Sequence, residues 1–434
     1  MDIVFSFIIC FVFLVVSVFK GIFVGYPLTV GLIIFIILSL KQGYGLKNVL
    51  YMAYKGGKKS FIVLQIFILI GGITAVWIAS GTVPAIVYYG IKFLNPKLFI
   101  LSAFIISSFV SFLIGTSFGT VGTVGIALMV MARGGGVNTA LVAGAILSGA
   151  YFGDRCSPMS SSANLVATLT DTDIYVNIKN MFKTSIIPFM LAVIMYSIFS
   201  LKTPLSSAGN GIVDEITNFF NINLLTLIPA IIILFFSLFK ISVKKLMLMS
   251  IIAASIISVV LQHNTIVLTI KYIIFGYKLD SATSLSTIIK GGGILSMLKI
   301  AIVVFVSSAF TGIFEGTGML KLIENSVKRA NTKFSLFFTT IVISIATSAF
   351  GCTQALAVIL THLLTNKAYV DNGIDKYELA ADLENTAIVI APLIPWNIAV
   401  LVPLITLGEG YGAIVYCFYL YLIPIVNLVC KVKY

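Results

Sequence analysis

Long apolar segments alternate with short polar breaks along almost the whole chain. Apolar windows of roughly 17 to 25 residues, the length that crosses the hydrocarbon core of a bilayer, recur from residue 3 to residue 429. This pattern predicts an all-α polytopic membrane protein with about 10 to 13 spanning segments and no soluble domain. The first window follows Asp2 rather than a basic leader and has no small-residue cleavage site, so we expect a retained helix and not a signal peptide.

Composition and charge support a membrane protein. The chain is 59% hydrophobic and 10% charged, with a mean hydropathy of +1.11, whereas a soluble domain carries about 25% charged residues. The net charge is +13, and segment 41–60 (KQGYGLKNVLYMAYKGGKKS) alone has five lysines. Further basic residues in the polar breaks are Lys240, Lys244, Lys245, Lys321, Lys328, Arg329, Lys431 and Lys433. This positive-inside pattern predicts a multi-pass protein of the inner (plasma) membrane with both termini cytoplasmic, the lipid bilayer as partner and no nucleic acid.

The cysteines do not suggest a structural or metal framework. They are odd in number and show no C-x-x-C spacing, which argues against disulfide pairs and a metal cage. The five are Cys10, Cys156, Cys352, Cys417 and Cys430.

Three stretches of the first half match stretches of the second half at an offset of about 233 residues. They pair residues 78–84 (IASGTVP) with 313–319 (IFEGTGM), 117–128 (SFGTVGTVGIAL) with 349–360 (AFGCTQALAVIL), and 157–165 (SPMSSSANL) with 391–399 (APLIPWNIA). Each match is weak alone, but three in the same order indicate a duplicated unit. We therefore predict a first transmembrane repeat half at 1–205, a connecting loop at 206–221 and a second half at 222–434.

Loop charges indicate that the two halves have inverted topology. Segment 41–60 is strongly basic, whereas the loop near 407–411 carries only Glu409, and the basic segment 321–333 corresponds to the lightly charged segment 88–97. Inverted repeats place substrate and ion sites near the middle of the membrane, on helices broken by Gly and Pro. The alternative is a plain helical bundle with accidental similarity.

Residues 151–165 (YFGDRCSPMSSSANL) place polar side chains between two apolar stretches. Pro158 removes a backbone donor and pushes Ser157 out of helical geometry. Because unwound backbone at membrane depth must be buried in protein or line a watery cavity, we expect an oxygen-rich cup suited to sodium. Its oxygens would come from freed carbonyls and from the side chains of Ser157, Ser160, Ser161, Ser162 and Asn164. The alternative is a cytoplasmic loop with ordinary turn residues.

Three carboxylates in apolar surroundings are candidates for function: Asp154, Glu315 and Glu384. A charge at the bilayer centre costs about 2.5 to 3.5 kcal/mol on insertion scales, so a carboxylate at that depth is by default a candidate for a functional role. Asp154 and Arg155 are adjacent and can instead pair with each other or with other buried groups. Glu384 can instead occupy the first turn of a helix, where the helix dipole favours a carboxylate.

Two further features have more than one interpretation. The run at 115–125 (GTSFGTVGTVG) has no nucleotide-loop lysine, and its glycines either let helices approach closely or expose backbone where an ion binds. Trp396, between Pro395 and Asn397, is either a belt residue at the membrane surface or the wall of a cavity, and its proline-flanked position favours the cavity.

One stretch matches an enzyme motif. Residues 115–119 (GTSFG) fit the G-x-S-x-G nucleophile elbow, which needs a strand-to-helix turn and a base. The chain has only His263 and His362 as histidines. We therefore predict no enzyme activity and keep an intramembrane serine hydrolase, built on Ser117 and a histidine, as a remote alternative.

Four stretches together resemble the NhaC family of sodium/proton antiporters, which also includes malate/lactate exchangers and predicted amino-acid carriers. They are WIASGTVP, GTSFGTVGTVGIAL, GAILSGAYFGDRCSP and LENTAIVIAPLIPWN, in a region from residue 77 to residue 407. The resemblance implies a secondary active transporter built from inverted repeats with broken helices and re-entrant hairpins. It also implies a homodimer and an elevator-like alternating-access mechanism.

Each half departs from the family pattern by one carboxylate. The first pattern resembles G-D-[KR]-x-S-P-x-S-D-x-x-N, but Ser161 stands in place of its second aspartate. The second resembles L-E-D-S-G, but this chain has Asn385, Thr386 and Ala387 after Glu384. Proton exchange needs a group that titrates near working pH, which neither serine nor asparagine does, whereas neutral oxygens still bind sodium.

These departures favour sodium-coupled transport of a small organic solute, an amino acid or organic acid, over sodium/proton antiport, which stays the alternative. Sodium, and in the alternative protons, are the coupling ions, and no other cofactor is expected. The predicted sodium ligands are Ser157, Ser161, Asn164, Asn385 and Asn397. The wider ion- or substrate-binding set adds Thr116, Ser117, Thr120, Asp154, Ser160, Glu315, Cys352, Thr353, Glu384, Thr386 and Trp396.

Overall fold

The computed structural model describes residues 2–205, 209–237, 239, 241–279, 289–318, 332–351 and 353–431. In these ranges the fold is helical, apart from an isolated β-bridge between Tyr277 and Gly291. The helices up to residue 205 are α1 Asp2–Phe19, α2 Gly25–Lys41, α3 Leu46–Lys59, α4 Phe61–Ala79, α5 Thr82–Phe93, α6 Phe99–Ile114, α7 Ser117–Thr120, α8 Ile126–Gly134, α9 Thr139–Cys156, α10 Ser161–Thr170 and α11 Ile174–Lys202.

The remaining described helices follow in chain order. They are α12 Gly209–Phe219, α13 Ile228–Ser237, α14 Val243–Val260, α15 Ile266–Phe275, α16 Leu298–Thr317, α17 Lys333–Gly351, α18 Gln354–Asp371, α19 Lys376–Asn385, α20 Ala387–Ile390, α21 Ile398–Leu407 and α22 Phe418–Lys431. Short helical turns lie at Pro96–Leu98, Val121–Gly125, Leu224–Leu227, Ile294–Met297, Ala391–Leu393 and Tyr411–Tyr416. Helix α12 lies within the predicted connecting loop at 206–221.

The chain is an integral membrane protein. Its described residues contain six helices that are long and apolar enough to cross a membrane, or up to eight spans if two sharply bent pairs are counted. The six are Pro96–Ile114, Ser117–Gly134, Ile174–Lys202, Val243–Val260, Ile294–Thr317 and Lys333–Gly351. The bent pairs are Leu64–Ala79 with Thr82–Phe93 (67°) and Lys376–Leu393 with Ile398–Leu407 (51°).

The predicted count of 10 to 13 spans is not confirmed. Further apolar helices of the described chain have only 10–17 residues, among them Gly25–Lys41 and Phe418–Lys431. An α-helix rises about 1.5 Å per residue, so such a helix is shorter than the hydrocarbon core of roughly 30 Å. Counting apolar windows along a sequence cannot show where a helix ends inside the window.

Glycines bring α6 and α9 into backbone contact. A Cβ atom on Gly149 would lie 2.5 Å from the carbonyl oxygen of Phe104, and one on Gly153 would collide with the backbone of Ser111. This spacing of small residues, four apart, is the arrangement that lets membrane helices pack closely. The contact fixes the end of α9, and with it Asp154, against α6.

Two long helical segments are broken in the middle. Helix α9 ends at Cys156, Ser157 is extended (φ −92, ψ 136), and α10 begins at Ser161. The predicted interruption at Pro158 is thereby confirmed. The second segment runs from α19 to α21. In it, the turn Ala391–Leu393 is followed by non-helical residues 394–397 before α21 begins.

Two helix pairs, α6 with α7 and α17 with α18, are joined by short connections next to these breaks. We call these connections tips. Helix α6 ends at Ile114, Gly115 adopts the left-handed conformation (φ +72), and α7 begins at Ser117. Helix α17 ends at Gly351 and α18 begins at Gln354. A Cβ atom on Gly115 would lie 2.6 Å from the carbonyl carbon of Met159, so only glycine permits the first tip to pack on the break between α9 and α10.

The two broken segments run in opposite directions. Arg133, just before α9, donates to the carbonyl oxygen of Gly408, just after α21, at 3.3 Å. Asp171, just after α10, forms an ion pair at 3.4 Å with Lys376, the first residue of α19. The start of one segment therefore lies beside the end of the other.

Candidate functional site

Asp154 lies in the last turn of α9 and is 4% exposed. Its Oδ1 accepts a hydrogen bond from Ser160 Oγ at 3.2 Å, and its Oδ2 accepts from Ser117 Oγ at 3.3 Å, Gln354 Nε2 at 3.4 Å and Ser162 Oγ at 3.5 Å. All four distances are long compared with the usual 2.7–3.0 Å. The carboxylate is surrounded by polar side chains without being tightly held, which suits a group that binds an ion.

The broken backbone beside Asp154 is partly satisfied by side chains. Asn164 Nδ2 donates to the carbonyl oxygens of Pro158 (3.1 Å) and Ser160 (2.6 Å). Ser160 Oγ also caps α10 by accepting from two backbone N–H groups. Ser157 is buried, and its Oγ accepts from the backbone N–H of Met159 at 3.2 Å. The Ser160 carbonyl also accepts from the backbone N–H of Asn164 at 3.1 Å, so both of its lone pairs are used, whereas the Pro158 carbonyl keeps a second lone pair.

A cavity of 360 Å³ lies next to Asp154, and we call it the inner cavity. Its polar lining comes from both halves of the chain. Those residues are Ser60, Thr116, Ser161, Ser162, Ser308, Thr311, Glu315, Thr353 and Gln354. The tips between α6 and α7 and between α17 and α18 thus meet at one cavity, together with the start of α10.

Gln354 connects the inner cavity to Asp154 across the two halves. Its Nε2 donates to Asp154, and its Oε1 lies 3.0 Å from Ser162 Oγ, whose single hydrogen is shared between Gln354 and Asp154. Gln354 was not among the predicted site residues, whereas Ser162 was predicted as part of the oxygen-rich cup. The sequence signal that could have found Gln354 is a lone amide in an apolar run, three residues after Gly351 of the repeat match.

Glu384 is fully buried at the end of α19. Neither of its carboxylate oxygens has a hydrogen-bond partner among the described residues. The helix ends one residue later, and Thr386 has an irregular backbone conformation (φ −125, ψ −80), with its hydroxyl donating to the carbonyl oxygen of Asp382 at 2.7 Å. A buried carboxylate without donors needs a proton or a cation as its partner.

Arg155 is also fully buried, but it does not pair with its neighbour Asp154. Its guanidinium donates to Asn385 Oδ1, Thr184 Oγ1 (2.7 Å), Tyr419 Oη (3.1 Å) and Ser185 Oγ. Within the described part of the chain it makes no ion pair with a carboxylate. Arg155 therefore ties α9 to α11, α19 and α22, and it occupies the amide oxygen of a predicted sodium ligand.

The other predicted residues of the second half have structural contacts. Asn397 caps α21 and donates from Nδ2 to the carbonyl oxygen of Ser348 at 2.8 Å. Trp396 is 3% exposed, and its Nε1 donates to the carbonyl oxygen of Ala349 at 2.7 Å, so it lies in the interior and not in a surface belt. Thr353 caps α18. Cys352 lies outside the described residues.

In the glycine-rich run, Thr120 Oγ1 donates to the carbonyl oxygen of Thr116 at 2.9 Å. A π-helical turn at Val121–Gly125 follows, a feature often found at functional sites. A Cβ atom on Gly125 would lie 3.2 Å from side chains of Ile146 and Leu407, which supports close packing for this glycine. Ser117 Oγ donates to Asp154 and not to a histidine, so the pair that the serine-hydrolase alternative requires is not formed.

The sequence model of a family described as the Na+/H+ antiporter family matches residues 149–430. The chain belongs to this family. It is similar to the Na(+)/H(+) antiporter NhaC of Alkalihalophilus pseudofirmus, with 26% identity over 411 residues that cover 93% of this chain and 88% of that protein. The predicted resemblance to NhaC proteins is confirmed.

Two relatives of this Na+/H+ antiporter family protein are named for organic solutes. The Malate-2H(+)/Na(+)-lactate antiporter of Bacillus subtilis is 29% identical over 387 residues, covering 88% of this chain and 83% of that protein. The arginine/ornithine antiporter ArcD of Halobacterium salinarum is 27% identical over 345 residues, covering 78% and 70%. The family match begins inside α9 and contains both helix breaks, with Asp154, Gln354 and Glu384, whereas Ser117 precedes it.

Proposed function

We propose that this protein is a sodium-coupled antiporter of a small organic solute, an amino acid or an organic acid, and that it works by alternating access. The observation that carries the proposal is the inner cavity, whose 360 Å³ lies beside Asp154. This volume falls in the range of about 300 to 1,000 Å³ found for small-molecule sites and exceeds what a sodium ion alone needs. The names of the malate/lactate and arginine/ornithine relatives support an organic solute.

Sodium would bind where Asp154 meets the lining of the inner cavity. Hard cations prefer oxygen ligands, and Asp154 is contacted by the hydroxyls of Ser117, Ser160 and Ser162. Rotation of these hydroxyls would turn their oxygens toward a bound cation while the carboxylate supplies the negative charge. Ser157, Ser161 and Asn164 stay proposed ligands at the neighbouring break, and Asn397 at the second one. Asn385 would have to release Arg155 before its amide oxygen could bind sodium.

Sodium/proton antiport is the second candidate, and Glu384 favours it. This carboxylate is fully buried without a hydrogen-bond donor in the described chain, and it interacts electrostatically with Arg155 and Asp154. A group in such surroundings can exchange a proton for a cation when another buried charge changes. Glu384 would then carry the proton and Asp154 the sodium ion.

We further infer that the two halves form inverted repeats. The two broken segments run in opposite directions, and a helix tip from each half reaches the inner cavity. Such an arrangement is typical of transporters with a site near the middle of the membrane. An elevator-like motion and a homodimer are proposed on the family resemblance alone. A plasma-membrane location with cytoplasmic termini rests on the positive-inside pattern.

The test uses proteoliposomes that contain a pH dye and receive a sodium gradient, with and without a pool of labelled amino acids and organic acids. The proposal expects sodium-driven movement of one labelled solute, and Asp154→Asn should abolish it. Asp214→Asn, an exposed aspartate on α12, is the matched control and should transport normally. A pH change without solute that is lost in Glu384→Gln would establish the second candidate instead. Normal transport by Asp154→Asn would refute the assignment of the site.

A further inference from the structure

A second cavity, of 230 Å³, lies at the far end of three helices that also line the inner cavity, and we call it the distal cavity. The three helices are Ser117–Gly134, Ile294–Thr317 and α21. In the second of them, Met297 lines the distal cavity and Ser308 the inner one, and these residues lie about 16 Å apart along the helix axis. The two cavities share no lining residue and are separate chambers of the protein.

The positive-inside pattern assigns the distal cavity to the external side of the membrane. Helix Ile294–Thr317 ends just before the basic segment 321–333, which this pattern assigns to the cytoplasm, and the cavity lies at its other end. Helix α4 supports the same side. It begins directly after the basic segment 41–60, and Thr74 and Ile78 near its other end line the cavity. A solute that arrives from outside the cell would therefore meet the distal cavity first.

Two cationic side chains, Arg133 and Lys290, line the distal cavity, and no carboxylate is among its described lining residues. Lys290 is exposed and forms no hydrogen bond or ion pair with the described chain. Arg133 donates from Nη2 to the carbonyl oxygens of Leu407 and Gly408, and its Nε and Nη1 have no partner in the part of the chain that the structure describes. Glu409 Oε1 lies 4.0 Å from Arg133 Nη2 and offsets one of the two positive charges.

The backbone next to Lys290 is fixed against α4. Gly291 exchanges two backbone hydrogen bonds with Tyr277, with N···O distances of 2.9 and 3.0 Å. Gly292 follows with φ +70, and a Cβ atom on it would lie 2.5 Å from the backbone nitrogen of Ala75. The place of Lys290 at the cavity is therefore set by its backbone.

The hydroxyl groups of the distal cavity do not supply the donors for a ligand. Those of Thr74, Ser296 and Thr406 already donate to nearby carbonyl oxygens, at 2.7, 2.7 and 2.8 Å. The side-chain donors that remain are Lys290 Nζ and Arg133 Nε and Nη1, and all of them belong to cations. Ammonium and guanidinium groups form charge-assisted hydrogen bonds with carboxylates, so these donors suit a carboxylate.

The charge and size of the distal cavity narrow the kind of carboxylate. Arg133 and Lys290 carry two positive charges and Glu409 one negative charge, which leaves a net charge of +1 at the site. A monocarboxylate neutralises this charge, a dicarboxylate exceeds it, and the ammonium group of an amino acid would meet only cationic donors. The volume of 230 Å³ lies below the range of about 300 to 1,000 Å³ found for drug-sized ligands, so the ligand is small.

We propose that the distal cavity is an external binding site for a small monocarboxylate, whose carboxylate is held by Lys290 and Arg133 before it reaches the inner cavity. This inference rests on the proposed transport of an organic solute. It narrows that solute from an amino acid or organic acid to an organic acid with one carboxylate.

Binding of radiolabelled L-lactate to the purified full-length protein tests the site. The buffer contains no sodium, so that the inner cavity, which needs sodium in the proposed function, is not filled. L-Alanine, L-malate and the anionic lipid phosphatidylglycerol are the competitors. The variants are Lys290→Gln, Lys290→Glu and Arg133→Gln. The matched control is Lys299→Gln, an exposed lysine in the first turn of α16 that does not line the cavity.

The wild type should bind lactate, and L-alanine should not displace it. Lys290→Gln and Arg133→Gln should each weaken lactate binding by about tenfold or more, since each removes a charge-assisted hydrogen bond. Lys290→Glu should abolish binding, and Lys299→Gln should bind as the wild type does. Arg133→Gln also removes contacts with α21, whereas the Lys290 side chain has no described partner, so the Lys290 variants test the site even if Arg133→Gln fails to fold.

A cysteine at Ser296, an exposed lining residue, reports on the location of the cavity. The background is Cys430→Ala, because Cys430 is the exposed one among the described free cysteines. A membrane-impermeant maleimide added to intact cells should label Ser296→Cys but not the background protein. Lactate should slow this labelling, and it should lose that effect when Lys290→Gln is added.

Lactate binding that is indifferent to Lys290 and Arg133, or that L-alanine, malate or phosphatidylglycerol displaces more strongly than lactate itself, would overturn the inference. So would labelling of Ser296→Cys only after the cells are permeabilised. The two proposals fail separately. Lys290-dependent lactate binding without sodium-driven transport of any solute would refute the proposed function and keep the distal site. Sodium-driven transport with no Lys290-dependent binding of a monocarboxylate would do the reverse.

Discussion

Replacing Lys431 by methionine should destabilise the protein, because this lysine forms an ion pair with the buried Asp382. Its Nζ lies 2.6 Å from Oδ1 and 2.5 Å from Oδ2 of Asp382. The Asp382 side chain is 2% exposed and that of Lys431 18% exposed. Methionine keeps the apolar stem of the lysine but removes the charge.

The size of the effect follows from the burial of Asp382. Removing one partner of a buried ion pair costs about 3 to 5 kcal/mol, since the other charge is left uncompensated. Tyr369 still donates to Asp382 at 2.8 Å, which favours the lower half of that range. With an unfolding entropy of about 2.1 cal/mol/K per residue, a chain of 434 residues should melt about 3 to 4 °C lower.

Thermal unfolding of the detergent-purified protein, followed by intrinsic fluorescence, measures this shift. Lys376→Met is the matched control, because its partner Asp171 is fully exposed and such pairs contribute little. The double variant Lys431→Met with Asp382→Asn should recover most of the lost stability. If Lys431→Met melts no lower than Lys376→Met, or if the double variant is as unstable as the single one, the reasoning from burial is wrong.

Three further predictions concern packing and the site. Gly153→Val should abolish the monodisperse peak in fluorescence-detected size-exclusion chromatography, because its side chain collides with the α6 backbone, whereas Gly412→Ala, with open space around it, should behave normally. Asn385→Leu should lower the free energy of unfolding by about 1 to 3 kcal/mol, since it removes an acceptor from the buried Arg155; an unchanged melting temperature would contradict this. Ser161→Asp places a carboxylate at the wall of the inner cavity, where the pattern that the chain resembles has one, and should create pH-dependent sodium exchange in dye-loaded proteoliposomes, which the wild type should not match.

The interruption at Pro158 could be predicted from the sequence because its cause is local. A proline disfavours helical geometry at the residue before it, and the structure has α9 ending at Cys156, although Pro188, Pro403 and Pro424 lie inside helices. The long apolar windows likewise predicted an all-helical membrane protein. The number of spans could not be derived, since it depends on where each helix ends and bends.

The contacts of Arg155 could not be predicted from its place next to Asp154. Successive residues on an α-helix point about 100° apart, so neighbours in sequence face different parts of the protein. Asp154 faces Gln354, which lines the inner cavity, whereas Arg155 faces α11, α19 and α22. Gln354 was missed for a related reason, because its contact with Asp154 joins residues 200 positions apart.

The bridge from Asp154 through Gln354 to Ser162 has a thermodynamic consequence for the transport cycle. Asp154 and Ser162 belong to the first half and Gln354 to the second, so sliding of one half past the other would take a donor away from a buried carboxylate. Without a bound ion, that step would cost free energy, because the buried carboxylate would lose a hydrogen-bond donor. A sodium ion on Asp154 would remove the penalty. This contact between the halves would thus make their movement depend on the ion, and electrostatics would suppress leakage without cargo.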